Sequence, residues 1–283
     1  MEEKVIITAK DHLVTNEQFN IVTTNIDGLL KTSPTPTKEK IGNYYQSENY
    51  ISHTDAKKTL VDNIYQIVKS YSLNKKYKLL KKLNPEAKTL LDIGSGTGDF
   101  ISYCKKGFDC YGTEPSEVAR EKSISKGNKV VVSTEELEIK KFDIITMWHV
   151  LEHVHDLELQ IKKLNELLNK NGAIIIAVPN YKSEDAKHYK EHWAAYDVPR
   201  HIWHFDKHSF KELFKKENLF VVKILPMIFD SFYVSLLSEK IKTGRNNFVK
   251  AFKNGLQSNL KAKSTGEYSS LIYIIEKRDK DSF

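Results

Sequence analysis

Cysteines and long apolar runs are both scarce in this chain. Cys104 and Cys110 are the two cysteines among 283 residues, which disfavours a disulfide framework and is typical of a reducing compartment. No apolar run approaches the roughly 20 residues that a membrane-spanning helix needs. Residues 1–4 lack the layout of a signal peptide. We therefore expect a cytoplasmic protein.

A strong excess of charge is also absent. The net charge of +7 permits contact with nucleic acid or anionic lipid without requiring either. Hydrophobic residues make up 40% of the chain and charged residues 29%, as in ordinary globular proteins. The length suits one large domain or a domain with appendages.

Glycine is uncommon, with 12 residues in the chain, yet three glycines stand close together. Gly94, Gly96 and Gly98 follow the apolar run 89–93, and an amphipathic stretch comes next. This pattern predicts a strand, a tight turn and a helix N-terminus that lets a ligand approach the backbone and favours an anionic group. Glu114, at the end of the next apolar strand, can accept both hydroxyls of a ribose. The sequence predicts a nucleoside cofactor site, with a plain strand–helix turn as the alternative.

The dinucleotide fingerprint G-x-G-x-x-G is absent, because Asp99 stands where its third glycine falls. The letters D-I-G-S-G-T-G resemble instead the S-adenosylmethionine (SAM) site of class I methyltransferases. Further blocks follow in that family's order: Y-G-T-E-P-S (111–116), F-D-I-I-T-M-W-H-V-L-E-H-V-H-D (142–156) and N-G-A-I-I-I-A-V-P-N (171–180). H-V-L-E-H is similar to the variant of small-molecule methyltransferases, including ubiquinone-type O-methyltransferases. The resemblance covers about residues 75–225 and implies a SAM-dependent methyltransferase.

The resemblance also implies individual cofactor contacts. Asp92 would orient the glycine turn, Glu114 would hold the ribose hydroxyls, and Pro115 would contact the adenine face. Thr134 lies in S-T-E-E (133–136), where the family reads the adenine edge, although the usual aspartate is missing. The other implied contacts are Gly94, Ser95, Gly96 and Gly98 along the methionine moiety, and Trp148 and His149 beside the sulfonium.

Alternating strands and helices from Lys88 onward predict an α/β fold. The continuous apolar runs are typical of a parallel sheet covered on both faces. We expect strands near 88–93, 108–113, 129–133, 142–148, 172–178, 219–225 and 270–276, the last one antiparallel if the family topology holds. The prediction is a Rossmann-like, seven-stranded doubly wound sheet with ligands at the carboxyl ends of its strands.

The chain divides into a small β-rich segment (1–36), a helical cap (37–84) and a methyltransferase domain (85–283). The domain has a substrate loop at 180–205 and a helical lid insertion at 226–266. Some methyltransferases carry an N-terminal zinc ribbon, but residues 1–36 contain no cysteine to bind the metal. The remaining interpretations of this segment are a β-hairpin cap and a metal-free remnant of such a ribbon.

Aromatic residues are concentrated in the cap, before a helix that Ser52 or Thr54 would cap. N-terminal helices of the family commonly fold over the cofactor pocket, so the resemblance makes these aromatics pocket candidates. Packing of the cap against the core is the alternative interpretation. The candidates are Tyr44, Tyr45, Tyr50 and His53, of which Tyr50 and His53 are predicted substrate contacts.

Methyl transfer to a hydroxyl requires a proton acceptor, and histidine suits that task near neutral pH. One histidine cluster is W-H-V-L-E-H-V-H-D (148–156). A helix beginning there would bring His149 and His153 to one face. With Glu152 this spacing can also bind a metal, but the sequence names no third ligand, so no metal site is predicted.

The second cluster, H-W-A-A-Y-D-V-P-R-H-I-W-H-F (192–205), resembles the substrate-facing stretch of a bacterial methyltransferase family. His201 is the leading predicted general base, with His149 and Asp197 as further catalytic candidates. The residues predicted to place the substrate here are His192, Tyr196 and Arg200. Alternatively, Arg200 pairs with Asp197 and only clamps the loop.

The insertion at 226–266 combines an apolar stripe with many lysines. It would form a lid over an apolar substrate, a helix lying on an anionic membrane, or an extra packed helix. The stripe consists of Phe229, Phe232, Tyr233, Leu236, Leu237 and Ile241.

We predict methyl transfer from SAM to a small-molecule or lipid-like acceptor, at a hydroxyl oxygen. C- or N-methylation of a sugar nucleotide is the alternative. A nucleic-acid or protein methyltransferase is disfavoured, because M-W-H-V (147–150) stands where base methylation needs D-P-P-Y or N-P-P-Y. The intact glycine turn and acid disfavour a subunit that only binds SAM. The sequence does not determine the oligomeric state.

Overall fold

The computed structural model describes residues 3–45, 60–137 and 141–277 of the chain. Two predicted substrate contacts, Tyr50 and His53, lie outside the described residues, and so do the predicted helix caps Ser52 and Thr54.

The described strands are numbered here in chain order. They are β1 (Val5–Lys10), β2 (Gln18–Thr23), β3 (Leu30–Ser33), β4 (Thr89–Ile93), β5 (Asp109–Thr113), β6 (Lys129–Val131), β7 (Phe142–Trp148), β8 (Leu168–Pro179), β9 (Trp203–His204), β10 (Leu219–Pro226) and β11 (Ser270–Lys277).

The described α-helices are numbered in the same way, and several short 3-10 turns lie between them. They are α1 (Lys38–Ile41), α2 (Leu60–Leu83), α3 (Asp99–Cys104), α4 (Glu117–Ser125), α5 (Leu157–Leu167), α6 (Glu184–Tyr189), α7 (Lys207–Lys215), α8 (Asp230–Thr243) and α9 (Phe248–Thr265). None of the helices in the described ranges has both the length and the apolarity to cross a bilayer.

A seven-stranded sheet forms the centre of the molecule, in the order β10-β11-β8-β7-β4-β5-β6. Strands β4 to β8 are parallel, whereas β11 pairs antiparallel with both β8 and β10. The middle strands are buried on both faces because helices cover each side, and Ile144, Ile145 and Ile174 are fully inaccessible. The predicted seven-stranded α/β fold with an antiparallel last strand is confirmed.

A second sheet joins the N-terminal segment to the predicted substrate loop. Its order is β1-β2-β3-β9, with antiparallel pairing throughout. Leu30 lies opposite His204 and Lys31 opposite Trp203. Segments 1–36 and 180–205, which the sequence treats separately, therefore share one sheet.

The insertion before the last strand contains α8 and α9, and α8 buries a face other than its apolar stripe. Within the apolar stripe, Phe229 is 52% and Tyr233 is 55% exposed, and the other four residues are half-buried. The buried positions of α8 are Ser231, Val234, Ser235, Ser238 and Glu239.

Small side chains let α8 approach its neighbours closely. The hydroxyl of Ser238 accepts a hydrogen bond from the Ala194 N–H of the substrate loop (2.9 Å). The hydroxyl of Ser231 donates to the Gly255 carbonyl of α9 (3.1 Å). A Cβ at Gly255 would lie 2.8 Å from the Phe232 ring. In the structure, α8 thus packs on α9 and on the substrate loop, which is the arrangement that the interpretation as an extra packed helix describes.

Candidate active site

The predicted cofactor residues meet at one edge of the central sheet. β4, β5, β6 and β7 are parallel neighbours, so their carboxyl ends lie side by side. The glycine turn follows β4, Glu114 and Pro115 follow β5, Thr134 lies in the turn after β6, and Trp148 ends β7. Sheets of this kind bind their ligands at this edge.

Glu114 connects the glycine turn to the neighbouring strand. Its Oε2 accepts a hydrogen bond from the Gly96 N–H (2.8 Å), and its Oε1 accepts one from the Ser116 N–H (2.9 Å). The N–H groups of Gly94 and Ser95 both bond to the Thr113 carbonyl, at 2.8 and 2.9 Å. The turn is therefore held in shape before any ligand binds.

Gly96 differs from the other two glycines of the turn in what surrounds it. A Cβ at Gly94 would lie 2.5 Å from Val150 Cγ2, and one at Gly98 would lie 1.9 Å from the Ser123 hydroxyl oxygen. A Cβ at Gly96 would have no described atom within 4 Å. Packing inside the protein therefore requires glycine at 94 and 98, whereas Gly96 borders open space.

Asp92 lies beneath the turn and is buried. The Thr146 hydroxyl donates to its Oδ1 (2.6 Å). Burial raises the pKa of Asp92 to about 7, although Thr146 and the nearby Lys76 both act to lower it.

Two buried donors beside the turn have no partner among the described residues: the Ser95 hydroxyl and the Trp148 indole N–H. The ammonium of Lys76 lies 4.0 Å from the centre of the Trp148 ring. Buried polar groups are normally hydrogen-bonded, so unmatched donors indicate room for an acceptor-rich ligand. A cofactor that carries a carboxylate and sugar hydroxyls fits this edge. At its rim, Pro115 is exposed and Thr134 is half-buried.

His149 follows β7 in a left-handed conformation (φ 57°), and its N–H bonds to the Ala177 carbonyl (2.9 Å). It does not begin a helix: a 3-10 turn covers Leu151–His153 and α5 starts only at Leu157. The predicted shared helix face for His149 and His153 is therefore wrong, because the chain has to turn out of the sheet first.

Two carboxylates flank the His149 ring. Its Nδ1 lies 3.3 Å from Glu152 Oε1, and its Nε2 lies 3.0 Å from Asp230 Oδ2. Burial opposes protonation, but Asp230 and Glu152 outweigh it and raise the pKa of His149 to about 10. An imidazolium cannot accept a proton at neutral pH, so this geometry does not favour His149 as the general base. Sequence reasoning missed Asp230, which had no signal beyond its place in the insertion.

Glu152, His153 and His201 form a second group, the histidine corner. One ligand atom from each residue lies within 4.8 Å of the others, and the two rings are 4.6 Å apart, edge to face. Glu152 is 1% exposed, and neither of its carboxylate oxygens has a hydrogen-bond partner among the described residues.

Main-chain carbonyls orient both rings of the histidine corner. Nδ1 of His201 lies 2.8 Å from the Ala195 carbonyl, and Nδ1 of His153 lies 3.0 Å from the Arg200 carbonyl. A carbonyl only accepts, so the network assigns the proton of each ring to Nδ1 and a lone pair to Nε2. Burial and the neighbouring His201 lower the pKa of His153 to about 4.

Arg200 forms a third group with Asp11 and Asp197, the Arg200 cluster. The guanidinium is 1% exposed. It donates to Asp197 Oδ1 from Nε (3.0 Å) and Nη2 (2.7 Å), to Asp11 Oδ1 (2.9 Å) and to the Tyr44 carbonyl (2.8 Å). This is the clamp that the sequence left open as the alternative to substrate binding, and it also ties the substrate loop to β1 and the cap. Asp11 carried no sequence signal.

The remaining predicted residues occupy other surroundings. His192 lies 3.3 Å from Glu191 and stacks on His12, with ring centres 6.3 Å apart. Tyr196 is buried between Trp193 and His204. The Tyr45 hydroxyl lies 3.0 Å from Nδ1 of His153, which brings the cap to the histidine corner.

Comparison with known families supports this description. Residues 65–224 match the family model described as "Methyltransferase domain". The chain is 37% identical over 125 residues to a ubiquinone biosynthesis O-methyltransferase of Pelagibacter ubique (strain HTCC1062), covering 40% of this chain and 49% of that protein. A protein of the same name from Chelativorans sp. (strain BNC1) is 33% identical over 105 residues, covering 34% and 42%. The chain thus spans about half the length of these curated relatives or less.

Solved structures have the same fold at low identity. Magnesium protoporphyrin IX methyltransferase from Synechocystis PCC 6803 superposes with a TM-score of 0.56 at 13% identity, covering 86% of this chain and all 100% of that one. A SAM-dependent methyltransferase from Thermotoga maritima gives 0.52 at 20% identity, covering 77% and 96%. The prediction of the family from the glycine turn and its following blocks is confirmed. The chain belongs to the methyltransferase-domain family, the class I enzymes that use SAM as their methyl donor.

Proposed function

We propose that this protein transfers a methyl group from SAM to a hydroxyl oxygen of a small-molecule or lipid-like acceptor. The observation that carries the proposal is the histidine corner, which is joined to the cofactor edge through Glu152 and His149. An oxygen acceptor has to lose a proton, and this corner offers unprotonated imidazole nitrogens. The names of the two ubiquinone O-methyltransferase relatives agree with an oxygen acceptor.

The chain's own residues would hold the cofactor at the turn. When bound, SAM supplies a methyl group on a positively charged sulfur. Glu114 would accept the ribose hydroxyls, while the Ser95 hydroxyl and the Trp148 N–H offer donors to the cofactor's polar groups. Open space beside Gly96 would receive the ligand. His192, Tyr196, Tyr50 and His53 stay predictions as substrate contacts.

His201 is the proposed proton acceptor of the corner. Its Nδ1–H is held by the Ala195 carbonyl, so Nε2 is free of the proton and lies 3.9 Å from Asp197 Oδ2. Asp197 would orient the ring and stabilise the imidazolium that forms. Arg200 would act indirectly, because its guanidinium fixes Asp197 from the other side.

The lipid-like character of the acceptor is supported by α9. Its accessible face carries Phe248, Val249 and Phe252, which are 67%, 83% and 61% exposed. Leu256 and Leu260 continue the same face, and Lys253 and Lys263 add positive charge. The other two lysines of the helix, Lys250 and Lys261, pair with glutamates. An apolar face with lysines beside it suits the surface of an anionic membrane. We propose that α9 brings the enzyme to such a surface in the cytoplasm.

The test uses methyl-labelled SAM and fractionated metabolite and lipid extracts. We expect label in one fraction, in a product whose methyl group is lost on ether cleavage, as an O-methyl group requires. No labelled product, or label retained on carbon or nitrogen, would contradict the proposal. Flotation with vesicles of phosphatidylglycerol and phosphatidylcholine tests α9, and Phe252→Asp should reduce binding while leaving SAM affinity unchanged.

A further inference from the structure

The histidine corner combines three potential metal ligands that lie far apart in the sequence. Glu152 and His153 come from the turn after β7, and His201 comes from the substrate loop. Ligand atoms around one cation lie about 3–4 Å apart when each bond is near 2.1 Å. The corner already holds its three ligand atoms within 4.8 Å of one another. Side-chain shifts of about an ångström would therefore close the site around an ion.

The hydrogen bonds of the corner support the same three ligands independently. Both oxygens of the buried Glu152 carboxylate lack a hydrogen-bond donor among the described residues, although His149 Nδ1 lies 3.3 Å from Oε1. The Nδ1 atoms of His153 and His201 face main-chain carbonyls, which turns the Nε2 lone pairs away from those carbonyls. A carbonyl behind each imidazole is the arrangement that orients metal-bound histidines.

We propose that Glu152, His153 and His201 bind one divalent transition-metal cation, which holds the acceptor oxygen for methyl transfer. The proposal rests on the proposed function and deepens it. It changes one assignment, because His201 would then bind the cation through Nε2 instead of taking the proton. Asp197, with Oδ2 at 3.9 Å from that nitrogen, lies just outside the ligand set.

The donor set selects the class of cation. Two imidazoles and one carboxylate suit Zn²⁺, Mn²⁺, Fe²⁺ or Co²⁺, whereas Ca²⁺ and Mg²⁺ prefer oxygen ligands throughout. Three protein ligands also leave one position open, as in catalytic zinc sites. The acceptor oxygen would occupy that position.

A cation there would lower the pKa of the acceptor hydroxyl, which then loses its proton to water. The oxygen lone pair forms the new bond to the methyl carbon while the carbon–sulfur bond breaks. The electron pair of that bond stays on sulfur, which leaves as the neutral thioether S-adenosylhomocysteine. No oxidant or reductant is needed.

The test is calorimetric titration of the full-length protein, stripped with a chelator, with ZnCl₂ and separately with MnCl₂. We expect one saturable site per chain. Glu152→Gln, which keeps the side-chain shape, and His201→Gln should each weaken binding by about 100-fold. The matched control is His208→Ala, which removes an exposed histidine beside Asp27 and should bind as the wild type does. Bound Co²⁺ should give the visible absorption of a tetrahedral site in the wild type and lose it in both corner variants.

SAM affinity, measured on the same samples, checks folding and separates the two proposals. The metal site is refuted if the wild type shows no saturable binding, or if both corner variants bind metal as tightly as the wild type while all three proteins bind SAM equally. The titration needs no acceptor, so it stands apart from failure to find a methylated product. An enzyme that methylates at an unchanged rate after chelation would refute the cation's role in holding the acceptor.

Discussion

Two buried polar groups of this protein differ in how completely their members are paired. In the Arg200 cluster, the guanidinium donates to two carboxylates and two carbonyls. In the histidine corner, the Glu152 carboxylate is equally buried but has no hydrogen-bond donor among the described residues, and its ion-pair partner is the His149 ring at 3.3 Å. His153 belongs to the histidine corner, and its Nδ1 lies 3.0 Å from the main-chain carbonyl of Arg200. This contact connects the two groups.

The difference distinguishes buried polar groups that stabilise the fold from buried polar groups that are available to a ligand. A buried charge with all its partners stabilises one arrangement of the loops that supply them. A buried charge without hydrogen-bond partners costs stability, and proteins keep such groups where a ligand completes them. We therefore assign the Arg200 cluster to holding the substrate loop, and the histidine corner to chemistry.

The largest expected effect is on the Arg200 cluster. Arg200→Met removes the cation between Asp11 and Asp197 and should lower the free energy of unfolding by about 3–5 kcal/mol, because a buried carboxylate is left uncompensated. Urea denaturation measures this. Arg245→Met, at an exposed arginine, is the control and should change the free energy by less than about 0.5 kcal/mol. A loss below about 1 kcal/mol at Arg200 would show that the comparison is wrong.

Glu114 is an intermediate case, because its carboxylate is paired with N–H groups and is also a predicted ligand contact. Glu114→Ala should weaken SAM binding by about 1–3 kcal/mol, or about 5- to 150-fold, the scale of lost charge-assisted hydrogen bonds. Calorimetric titration with SAM measures the change. Glu117→Ala, an acid of the following helix that bonds no glycine of the turn in the described structure, is the matched control. Equal losses in both variants would argue against the ribose contact.

Lowering the pH tests whether the histidines in and near the corner are held neutral. Burial and the nearby His201 lower the pKa of His204 to about 3 and of His153 to about 4, from 6.5 in the unfolded chain. Between these values the unfolded state binds more protons at these two histidines. Their contribution to stability therefore falls as the pH drops below about 6.5 and is constant above it. The slope should reach about 1.4 kcal/mol per pH unit for the fully buried His204.

Urea midpoints of the metal-free protein between pH 7.5 and 4.5 measure this dependence. Carboxylates also titrate in the lower part of the range, so the informative quantity is the difference from His204→Asn. That variant should show a shallower fall between pH 6.5 and 5. The same slope in both proteins would mean that His204 is not held neutral.

The smallest expected effect is on the histidine corner itself. Glu152→Gln should change the free energy of unfolding of the metal-free protein by less than about 1 kcal/mol, because the amide oxygen can still accept from His149 and that ring keeps Asp230 as its carboxylate partner. The same variant should lose most methyl transfer. A loss of stability as large as that of Arg200→Met would make the corner a structural cluster and remove the distinction drawn above.

The sequence predicted the central sheet well, because its signals are local. Apolar runs of strand length, the glycine turn and the acid after β5 each depend on a few neighbouring residues. β4, β5, β7 and β11 accordingly begin within a residue or so of their predicted starts. No signal in the sequence marked the buried face of α8, since periodicity selects apolar side chains, whereas Ser231 and Ser238 are buried by close backbone approach.

The contacts of the two histidine clusters were predicted only in part. The clusters around His149 and His201 were recognised by composition, but their pairing partners Asp230 and Asp11 were not. Asp230 reaches His149 from α8, and Asp11 reaches Arg200 from the turn after β1. No spacing in the sequence relates residues so far apart, because the contacts depend on how three separate segments pack together.

The sequence by itself determined the family and the positions of the central strands and predicted the cofactor edge, because strand periodicity and glycine conformation are properties of short segments. Only the tertiary structure decided which buried charges are paired. It gave Arg200 two carboxylates, made His149 a cation between Asp230 and Glu152, and brought His201 to Glu152 and His153. The pairing of buried charges depends on distances between segments that lie far apart in the chain, and only the packed structure sets those distances.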